Sequence, residues 1–450
     1  MTQLKVRPAK GKLYGSVPVP SDKSISHRAL IFAALGGGRS ELRGFSYGED
    51  NVSTLNAFRA MGIEAEDDGQ GVVRVHGRGL DGLREPTVDL DCGNSGTTMR
   101  LMCGVLAAQP FRSRMTGDAS LTRRPMGRVV FPLRERGARI EGVPHPTKPN
   151  DLTAPLVVGP LEAGRRLDPF EYHSPIASAQ VKSCLLLSGL YASGPTLVHE
   201  PLVSRDHTER MLDALGMPIE TVGSVVTLHP PADRNSIRPF DIELPGDLSA
   251  AAFLLVAAQL VEGSQVTTRH TGLNPTRSGI LDIIRQLGGS VGITPGGDAL
   301  GEPYGEVTAQ SAALRGGSIG GELAVRAIDE IPIACALAAR ARGTTQFFDV
   351  GELRVKESDR IALMVETLRA FGVEAEERPD GMDIHGQPDG ALKPARVKSG
   401  GDHRIAMTGT VLGLLASGET IIDDVDCIAT SFPRFVGTLR ALGADIEVVS

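Results

Sequence analysis

The sequence of 450 residues contains no tryptophan, and aromatic residues make up only 4% of the chain. A hydrophobic core must therefore be built mainly from leucine, valine, isoleucine and alanine, and the hydrophobic fraction of 41% is typical of a globular protein. A chain of this length exceeds what one core usually organises, so we expect two or more domains. The 54 glycines and 29 prolines predict many tight turns between short elements.

Other absences exclude whole classes of protein. No stretch reaches the roughly 18 apolar residues needed to cross a bilayer, and the first twenty residues lack a secretory apolar region. The formal net charge of −7 argues against binding to nucleic acid. The five cysteines are odd in number and far apart, which favours reduced thiols over a disulfide framework or a zinc site. We therefore expect a cytoplasmic protein that binds neither membrane nor nucleic acid.

Nucleotide, metal and serine-nucleophile interpretations have little support in the sequence. The sequence contains no P-loop. Short matches to G-x-G-x-x-G (77–82) and to G-x-S-x-G (44–48, 288–292 and 316–320) occur in this glycine-rich chain, and such short patterns have low specificity by themselves. Its ten histidines show no metal-ligand spacing such as H-E-x-x-H. His27 and His403 lie inside basic segments, where we interpret them as hydrogen-bonding supports and not as catalysts.

One unit of sequence recurs six times along the chain. In each copy an amphipathic helix ends at a glycine that can adopt the left-handed conformation, and a short β-branched stretch follows. These glycines, spaced roughly 70 to 85 residues apart, are Gly62, Gly137, Gly216, Gly288, Gly372 and Gly443. Each copy also has an upstream helix that is apolar on almost all sides and is therefore predicted to be buried. The six predicted buried helices span residues 26–35, 97–108, 179–190, 249–260, 331–340 and 403–416.

The repeat predicts an α/β fold in which each unit has the order β-α-β-α-β-β. Six units divide most naturally into two domains of three. We expect the chain to cross between domains near Pro20 and to return near Pro245, which gives one domain of residues 1–20 plus 245–450 and another of residues 21–244. Chance recurrence of Leu-Gly pairs is the alternative, and six copies with matching flanks argue against it.

The starts of the predicted buried helices carry more cations than capping requires. A helix N-terminus offers free amide groups and the positive end of a dipole, which favours bound anions. Lys23, Arg28 and Arg404 lie in this region, where a cation opposes the dipole at a cost of about 0.3–1 kcal/mol. A surface salt bridge would explain any one of them alone. Their recurrence in several repeats favours a pocket that binds anions.

Two further segments concentrate charge, GDASLTRRPMGR at 117–128 and LRVKESDR at 353–360. The second could instead be a solvated helix with pairs such as Lys356–Asp359. Upstream of it, Asp329 and Glu330 precede an apolar run, and a carboxylate held among arginines is a candidate general base for a hydroxyl. Clustered arginine and lysine suit phosphate and carboxylate ligands.

Nine segments carry a resemblance to a known family. They are DKSISHR (22–28), GNSGTTMR (93–100), GDASLTRRPMG (117–127), SAQVK (178–182), RDHTE (205–209), NPTR (274–277), LRVKESDR (353–360), DHRIAM (402–407) and SFP (431–433). In these segments the chain resembles the 5-enolpyruvylshikimate-3-phosphate synthase family, and RDHTE, SAQVK and NPTR resemble its class II branch. The resemblance implies the enolpyruvyl transferase fold: two inside-out α/β domains, each of three β-α-β-α-β-β repeats, with the active site in the cleft between them.

The resemblance also implies a reaction. The carboxyvinyl group of phosphoenolpyruvate would pass to the 5-hydroxyl of shikimate 3-phosphate with release of phosphate, in the shikimate pathway to chorismate and aromatic amino acids. Both substrates are polyanions, which agrees with clustered cations in a net acidic chain. No metal and no organic cofactor is expected, because positioning and fixed positive charge supply the stabilisation. A monomer inhibited by glyphosate is expected.

Site residues follow from the resemblance position by position. Those implied for shikimate 3-phosphate are Lys23, Ser24, Arg28, Ser178, Ala179, Gln180, Arg205, Asp329 and Lys356. Those implied for phosphoenolpyruvate are Lys23, Asn94, Gly96, Arg124, Gln180, Arg360 and Arg404. Asp329 would accept the proton of the attacking hydroxyl, and either Lys23 or Glu357 would protonate the methylene carbon.

The sequence departs from the family pattern at two positions, and a third position bears on glyphosate. Many members have a lysine where this chain has Thr430, so one phosphoenolpyruvate contact is expected to be missing or replaced. Ser21 stands where the class II branch has the glycine of GDKS. Glyphosate-tolerant class II members tend to have alanine where this chain has Gly96, so we predict appreciable sensitivity to glyphosate.

Two other functions compete with this one. UDP-N-acetylglucosamine enolpyruvyl transferase shares the fold and the donor, but its loop carries a reactive cysteine, whereas this chain has Asp118 in the comparable loop. The second alternative is a non-catalytic protein that binds phosphorylated metabolites. Intact Asp329, Lys23 and Glu357 argue against loss of catalysis.

Overall fold

The computed structural model describes residues 2–449, which form two compact units. The first unit contains residues 2–20, 246–297 and 303–449, and the second contains residues 21–245 together with 298–302. The repeat pattern does not anticipate that residues 298–302, within the stretch 245–450, group with the second unit. Among the described residues, no helix has the length and apolar character needed to cross a membrane.

Short elements dominate the chain, as the glycine and proline content predicts. The strands are β1 (Gln3–Val6), β2 (Tyr14–Pro18), β3 (Gly37–Arg43), β4 (Glu64–Asp67), β5 (Val72–Arg78), β6 (Leu90–Asp91), β7 (Ser113–Thr116), β8 (Ile140–Pro144), β9 (Leu152–Val158), β10 (Phe170–His173), β11 (Thr196–His199), β12 (Ile219–Val222), β13 (Val225–Leu228), β14 (Asp241–Glu243), β15 (Gln265–Gly272), β16 (Ser290–Ala299), β17 (Glu302–Gln310), β18 (Ser318–Ile319), β19 (Gly343–Phe347), β20 (Glu374–Arg378), β21 (Gly381–Gly386), β22 (Arg396–Lys398), β23 (Thr420–Asp423) and β24 (Ile446–Val449). The helices are α1 (Lys23–Leu35), α2 (Glu49–Ala60), α3 (Gly96–Leu106), α4 (Gly127–Glu135), α5 (Ala179–Gly189), α6 (His207–Ala214), α7 (Leu248–Leu260), α8 (Gly279–Gln286), α9 (Gly321–Arg326), α10 (Ile331–Arg340), α11 (Arg360–Ala370), α12 (His403–Gly413) and α13 (Phe435–Ala441).

The strands form six sheets of four strands each, three in each unit. In the second unit the strand orders are β14-β3-β5-β4, β6-β7-β9-β8 and β10-β11-β13-β12. In the first unit they are β16-β17-β15-β2, β18-β19-β21-β20 and β22-β23-β1-β24. Each sheet contains one parallel pair, and in four of the six sheets a buried helix joins the two strands of that pair, which agrees with the predicted β-α-β-α-β-β unit.

Two strands pair away from the helix that they precede in sequence. Strand β2 leads directly into α1 but pairs in parallel with β15 of the first unit. Strand β14 leads into α7 but pairs in parallel with β3 of the second unit. At each crossing, the strand before the crossing belongs to one unit and the helix after it belongs to the other. Two of the six repeats are therefore assembled from segments that are remote in sequence.

The predicted division between buried and outer helices is confirmed. Every residue of α12 is buried, and so is every residue of α7 and α10 except the last. The glycine after each outer helix has a positive φ, between 75° and 111°, as the C′ prediction requires. The glycines concerned are Gly62, Gly137, Gly216, Gly288, Gly372 and Gly443.

Each unit has its own hydrophobic core, built around its three buried helices. In the second unit α3 and α5 pack closely because α3 has a glycine at the crossing. A Cβ at Gly104 would lie 2.2 Å from the carbonyl oxygen of Cys184. A larger residue at Gly104 would push these two helices apart.

Candidate active site

Helix α1 begins at Lys23, directly after Asp22, whose side chain accepts a hydrogen bond from the Ile25 amide at 3.0 Å. The Lys23 ammonium lies 3.1 Å from the carboxylate of Asp50, in the first turn of α2. The cation at this helix start predicts a bound anion, but Asp50 already supplies a negative charge. The salt-bridge alternative therefore applies at Lys23, because Asp50 already pairs with this cation.

Arg28 is buried further along α1 and links three helices. Its Nε donates to Thr208 Oγ1 at 2.7 Å, its Nη2 to Ser183 Oγ at 2.6 Å, and its Nη1 to the Ser24 carbonyl at 2.9 Å. Burial lowers the pKa of Arg28 to about 10, so the guanidinium stays charged at neutral pH. A buried cation whose hydrogen bonds go to these neutral groups gains from a nearby anionic ligand.

His27 is buried beside this arginine and is neutral. Its Nδ1 lies 2.7 Å from Thr54 Oγ1, and burial lowers its pKa from an ordinary 6.5 to about 3. The predicted role as a hydrogen-bonding support agrees with this environment.

The low pKa of His27 predicts a loss of stability in mild acid. Between about pH 6.5 and 3 the unfolded chain binds a proton that the folded chain does not, so stability falls as pH decreases through this window. At pH 5 the expected loss from this residue is about 2 kcal/mol. Urea unfolding at pH 7.5 and 5.0 should show this loss in the wild type and not in His27→Gln. Equal losses in both proteins, with exposed His229→Gln as control, would contradict the assignment.

Polar side chains surround the start of α3. Arg124 donates to Asn94 Oδ1 at 2.5 Å, and Arg100 donates to Gln180 Oε1 at 2.5 Å. A Cβ added to Gly96 would lie 3.0 Å from Arg100 Nη1 and 3.4 Å from Arg124 Nη1. This helix start therefore has two guanidinium groups within a small volume, which suits a phosphate or carboxylate.

The start of α5 lacks the side-chain cap that its sequence would allow. Ser178 occupies the N-cap position with extended backbone, and its hydroxyl makes no capping hydrogen bond to a described backbone group. Gln180, in the first turn, donates from Nε2 to Thr97 Oγ1 at 3.0 Å, which ties this helix start to that of α3. An anion at the amides beginning with Ala179 would complete the cap.

Lys182, in the first turn of α5, is buried between two carboxylates. Its Nζ lies 2.6 Å from Glu200 and 2.7 Å from Glu209. Burial works to lower the pKa of Lys182, but the two carboxylates outweigh it and raise the pKa. Arg205, half-buried on the intervening segment, is close enough for its charge to help lower the pKa of Arg28. Arg28 and Arg205 therefore lie near each other, and neighbouring arginines suit a phosphate ligand.

In the first unit, three predicted cations lie close to Asp329. Asp329 lies just before α10, and its Oδ1 is 3.4 Å from Arg360 Nη1 and 3.6 Å from Lys356 Nζ. The backbone carbonyl of Asp329 accepts a hydrogen bond from Arg404 Nη1 at 2.8 Å. The side chain is largely covered yet not fully enclosed, at 14% exposure. A proton could therefore reach this carboxylate from a hydroxyl ligand.

Arg360 is the first residue of α11 and is 1% exposed. Its Nε donates to Asp402 Oδ2 at 2.8 Å, and its Nη2 lies 2.6 Å from Glu357 Oε2. Burial works to lower its pKa, but the charges of Glu357, Asp402 and Asp329 outweigh burial and raise it. Arg360 is therefore part of an internal ion network, in addition to its predicted place beside phosphoenolpyruvate.

Arg404, in the first turn of α12, belongs to a second network. Its backbone amide donates to Asp402, the N-cap residue, at 2.9 Å, and its Nη1 lies 3.9 Å from Glu330 Oε1. Glu330 is fully buried and accepts a hydrogen bond from the Ser249 hydroxyl. Ser249 in turn accepts one from Arg277 Nη2 at 2.8 Å. The starts of α7, α10 and α12 are thereby linked.

The predicted site residues form two groups, one in each unit. The group in the second unit comprises Lys23, Ser24, Arg28, Asn94, Gly96, Arg124, Ser178, Ala179, Gln180 and Arg205. The group in the first unit comprises Asp329, Lys356, Glu357, Arg360 and Arg404. Lys356 lies between the 3-10 segment Gly351–Val355 and α11, and so not at a buried helix start.

Sequence reasoning missed several residues of these groups. Arg100 lies inside the quoted GNSGTTMR segment, one helical turn after Gly96, and that spacing could have identified it. Asp402 opens the DHRIAM segment and was recognisable as a cap, but not as the buried partner of Arg360. Asp50 had no sequence signal, because only tertiary packing places it beside Lys23.

Thr430 stands at the end of a 3-10 segment, Asp426–Thr430, that packs against α12. Its hydroxyl donates to the Cys427 carbonyl at 2.7 Å. The loss of a phosphoenolpyruvate contact at this position remains a prediction.

Comparison with known proteins finds relatives over nearly the whole chain. The family model described as EPSP synthase (3-phosphoshikimate 1-carboxyvinyltransferase) matches residues 8–439. The 3-phosphoshikimate 1-carboxyvinyltransferase of Syntrophotalea carbinolica is 49% identical over 97% of this chain and 98% of its own length. That of Geobacter sulfurreducens is 49% identical over 98% of this chain and 99% of its own.

Solved structures show the same fold. The EPSP synthase of Acinetobacter baumannii superposes with a TM-score of 0.88 at 40% identity, with full coverage of both chains. The enolpyruvyl transferase NikO of Streptomyces tendae has a TM-score of 0.78 at 19% identity, covering 100% of this chain and 99% of its own, which supports the fold alone. On the family match and the full-length relatives, the chain belongs to the EPSP synthase family, the 3-phosphoshikimate 1-carboxyvinyltransferases.

Proposed function

We propose that the two groups of residues bind one pair of substrates, shikimate 3-phosphate and phosphoenolpyruvate. The reaction is that of the family: the carboxyvinyl group moves to the 5-hydroxyl of shikimate 3-phosphate, and phosphate leaves. The observation that carries the assignment is Asp329, a carboxylate within 3.6 Å of Lys356 and 3.4 Å of Arg360. The cations hold substrate anions and the carboxylate accepts a hydroxyl proton.

Shikimate 3-phosphate is assigned to the starts of α1 and α5 and to Asp329. Its phosphate would interact with the uncapped start of α5 at Ser178, and Arg28 and Arg205 would supply positive charge. Ser24 and Gln180 would hydrogen-bond the ring substituents, and Lys356 would bind shikimate 3-phosphate beside Asp329.

Phosphoenolpyruvate is assigned to the start of α3 together with Arg360 and Arg404. Arg124, held by Asn94, and the first amides of α3 beginning at Gly96 would bind its phosphate or carboxylate. We add Arg100 to this set, because it lies between Gln180 and the Gly96 position. Fixed guanidinium groups also stabilise the phosphate as it leaves.

The chemical steps follow from these placements. Asp329 takes the proton of the 5-hydroxyl as its oxygen attacks C2 of phosphoenolpyruvate, and Lys23 or Glu357 delivers a proton to the methylene carbon. The tetrahedral intermediate then loses that carbon's proton and expels phosphate, which restores the double bond. Glu357 lies 2.6 Å from Arg360 and Lys23 lies 3.1 Å from Asp50, so each candidate acid has a charged partner.

Acceptor specificity tests the proposed function. Phosphate release from phosphoenolpyruvate should require shikimate 3-phosphate and should not occur with UDP-N-acetylglucosamine. Turnover with the nucleotide sugar would favour the rival transferase. Binding of shikimate 3-phosphate without phosphate release would favour a non-catalytic binding protein.

Substitution of Gly96 should separate glyphosate from phosphoenolpyruvate. In Gly96→Ala the new Cβ would lie 3.0 Å from Arg100 Nη1, inside the volume assigned to the anion. The helical backbone accepts alanine, so stability should be unchanged or improved. We expect wild-type enzyme to be inhibited by glyphosate, and the variant to have a higher inhibition constant with a smaller rise in KM for phosphoenolpyruvate. An unchanged inhibition constant would contradict the placement, and Gly437→Ala, at an open position, is the control.

We also propose a cytoplasmic monomer. All five cysteines are free thiols and four are buried, which fits a reducing compartment. Size-exclusion chromatography with light scattering would test the oligomeric state.

A further inference from the structure

Three metal-ligand side chains meet on the outer face of one sheet, apart from the residues assigned to the transferase reaction. They are Glu171 and His173 on β10 and His199 at the end of β11. Phe170, Tyr172 and Val198 take the alternating positions of these strands and pack against the core of the second unit. The period of two along each strand therefore turns the two histidines and the glutamate away from the core.

Strand register brings the three side chains together although they are distant in sequence. Strands β10 and β11 pair in parallel with His173 opposite His199, and Glu171 lies two residues before His173 on the same face. The pairing continues to the strand ends, where the Ser174 amide donates to the His199 carbonyl at 2.8 Å. The cluster is therefore built on hydrogen-bonded backbone and does not depend on a loop.

The ligand atoms already lie near one another. Glu171 Oε1 is 3.0 Å from His199 Nε2 and 3.5 Å from His173 Nε2, and the imidazole rings stack with centroids 4.1 Å apart. All three ligand atoms lie within 4.8 Å of one another. Bonds of about 2.0–2.2 Å in a tetrahedral site require ligand atoms about 3.4 Å apart. Rotation of these side chains, two of them exposed, would bring all three ligand atoms to this spacing without backbone movement.

We propose that Glu171, His173 and His199 bind a divalent transition-metal ion, with Zn²⁺ as the ion whose chemistry fits best. Two imidazoles and one carboxylate make a three-ligand set, and water completes a four-coordinate site. The Glu171 and His173 side chains are exposed, so an ion can reach the cluster from solvent. It is an accessory site, because its ligands are distinct from every residue assigned to the substrates.

Two other cross-strand pairs in the chain serve as internal controls. His76 on β5 lies 3.9 Å from Glu66 on β4, and His385 on β21 lies 3.9 Å from Glu376 on β20. Each pairs a single histidine with a glutamate, so it offers two ligands instead of three. If metal binding requires the second histidine, the β10–β11 cluster should bind the ion and these two pairs should not.

Calorimetric titration of the full-length, untagged, chelator-treated protein with ZnCl₂ tests the proposal. The wild type should bind one zinc ion per chain, and His173→Ala, His199→Ala and Glu171→Gln should each weaken that binding by about tenfold or more. His385→Ala should bind as the wild type does. Equal affinity in the wild type and the three ligand variants, or no binding in the wild type, would overturn the site.

Two further measurements guard against misfolding and nonspecific binding. Circular dichroism should show that the ligand variants fold, as expected for substitutions on an outward face. Substitution of Co²⁺ should give visible ligand-field absorption in the wild type that is lost in His199→Ala and kept in His385→Ala. Absorption that persists in His199→Ala would place the ion elsewhere and contradict the proposal.

Discussion

Asp329→Asn should reduce kcat by about 10²–10⁴-fold, because the amide preserves the shape of the side chain but cannot accept the proton of the 5-hydroxyl. Cations lie close to both the carboxylate and the backbone carbonyl of Asp329, as expected for a general base that acts on a bound anion. Phosphate release at saturating concentrations of both substrates measures the effect.

The same substitution should leave binding of shikimate 3-phosphate largely intact. Loss of one hydrogen bond to the ring would weaken binding by less than about tenfold. Isothermal titration of the variant with shikimate 3-phosphate measures this directly, with Asp380→Asn on the exposed turn between β20 and β21 as the matched control. A variant that turned over at the wild-type rate would exclude Asp329 as the base. One that lost binding in proportion to kcat would make it a ligand only.

Arg360→Met should destabilise the protein by about 3–5 kcal/mol, because it leaves buried carboxylates without their cation. Arg360 is 1% exposed and Asp402 is 0% exposed, and the two groups lie 2.8 Å apart. Burial works to raise the pKa of Asp402, and the charge of Arg360 helps to lower it below its ordinary value. Removing the guanidinium should therefore raise that pKa. Urea unfolding at neutral pH measures the loss, and Arg369→Met, exposed on the same helix, should change little.

A second substitution separates the structural role of Arg360 from its proposed role in binding. In Arg360→Met with Asp402→Asn, the strongest unpaired charge is gone, and asparagine can still cap α12. We expect part of the stability to return, while the KM for phosphoenolpyruvate stays raised. Recovery of both would show that Arg360 acts only by holding the fold. Recovery of neither would place the defect outside this ion pair.

Much of the fold could be predicted because its signals are local. Apolar character all around a helix, or on one stripe only, separated buried from outer helices, and the glycine after each outer helix has the left-handed backbone that its position predicted. The pairing of β2 with β15 and of β14 with β3 could not be predicted in this way. A strand's own sequence states which side is buried, but not which neighbour completes the sheet.

The candidate site divides along the same line. Motif resemblance identified Lys23, Arg28, Asp329 and Arg404, whose residue types the chemistry requires. It did not identify the acids that pair with the cations, such as Asp50 and Asp402, because ion pairing depends on distance in space. Lys23 pairs with Asp50 across two helices.

The sequence by itself determined the repeat, the class of every long helix, the anionic character of the ligands and, through its motifs, the family. These follow from periodicity, capping and residue type, all of which act over a few neighbouring residues. Tertiary structure alone decided which cations are neutralised inside the protein and which keep neutral partners, as Arg360 and Arg28 show. It also assembled Glu171, His173 and His199, because strand register joins residues that no spacing in the chain connects.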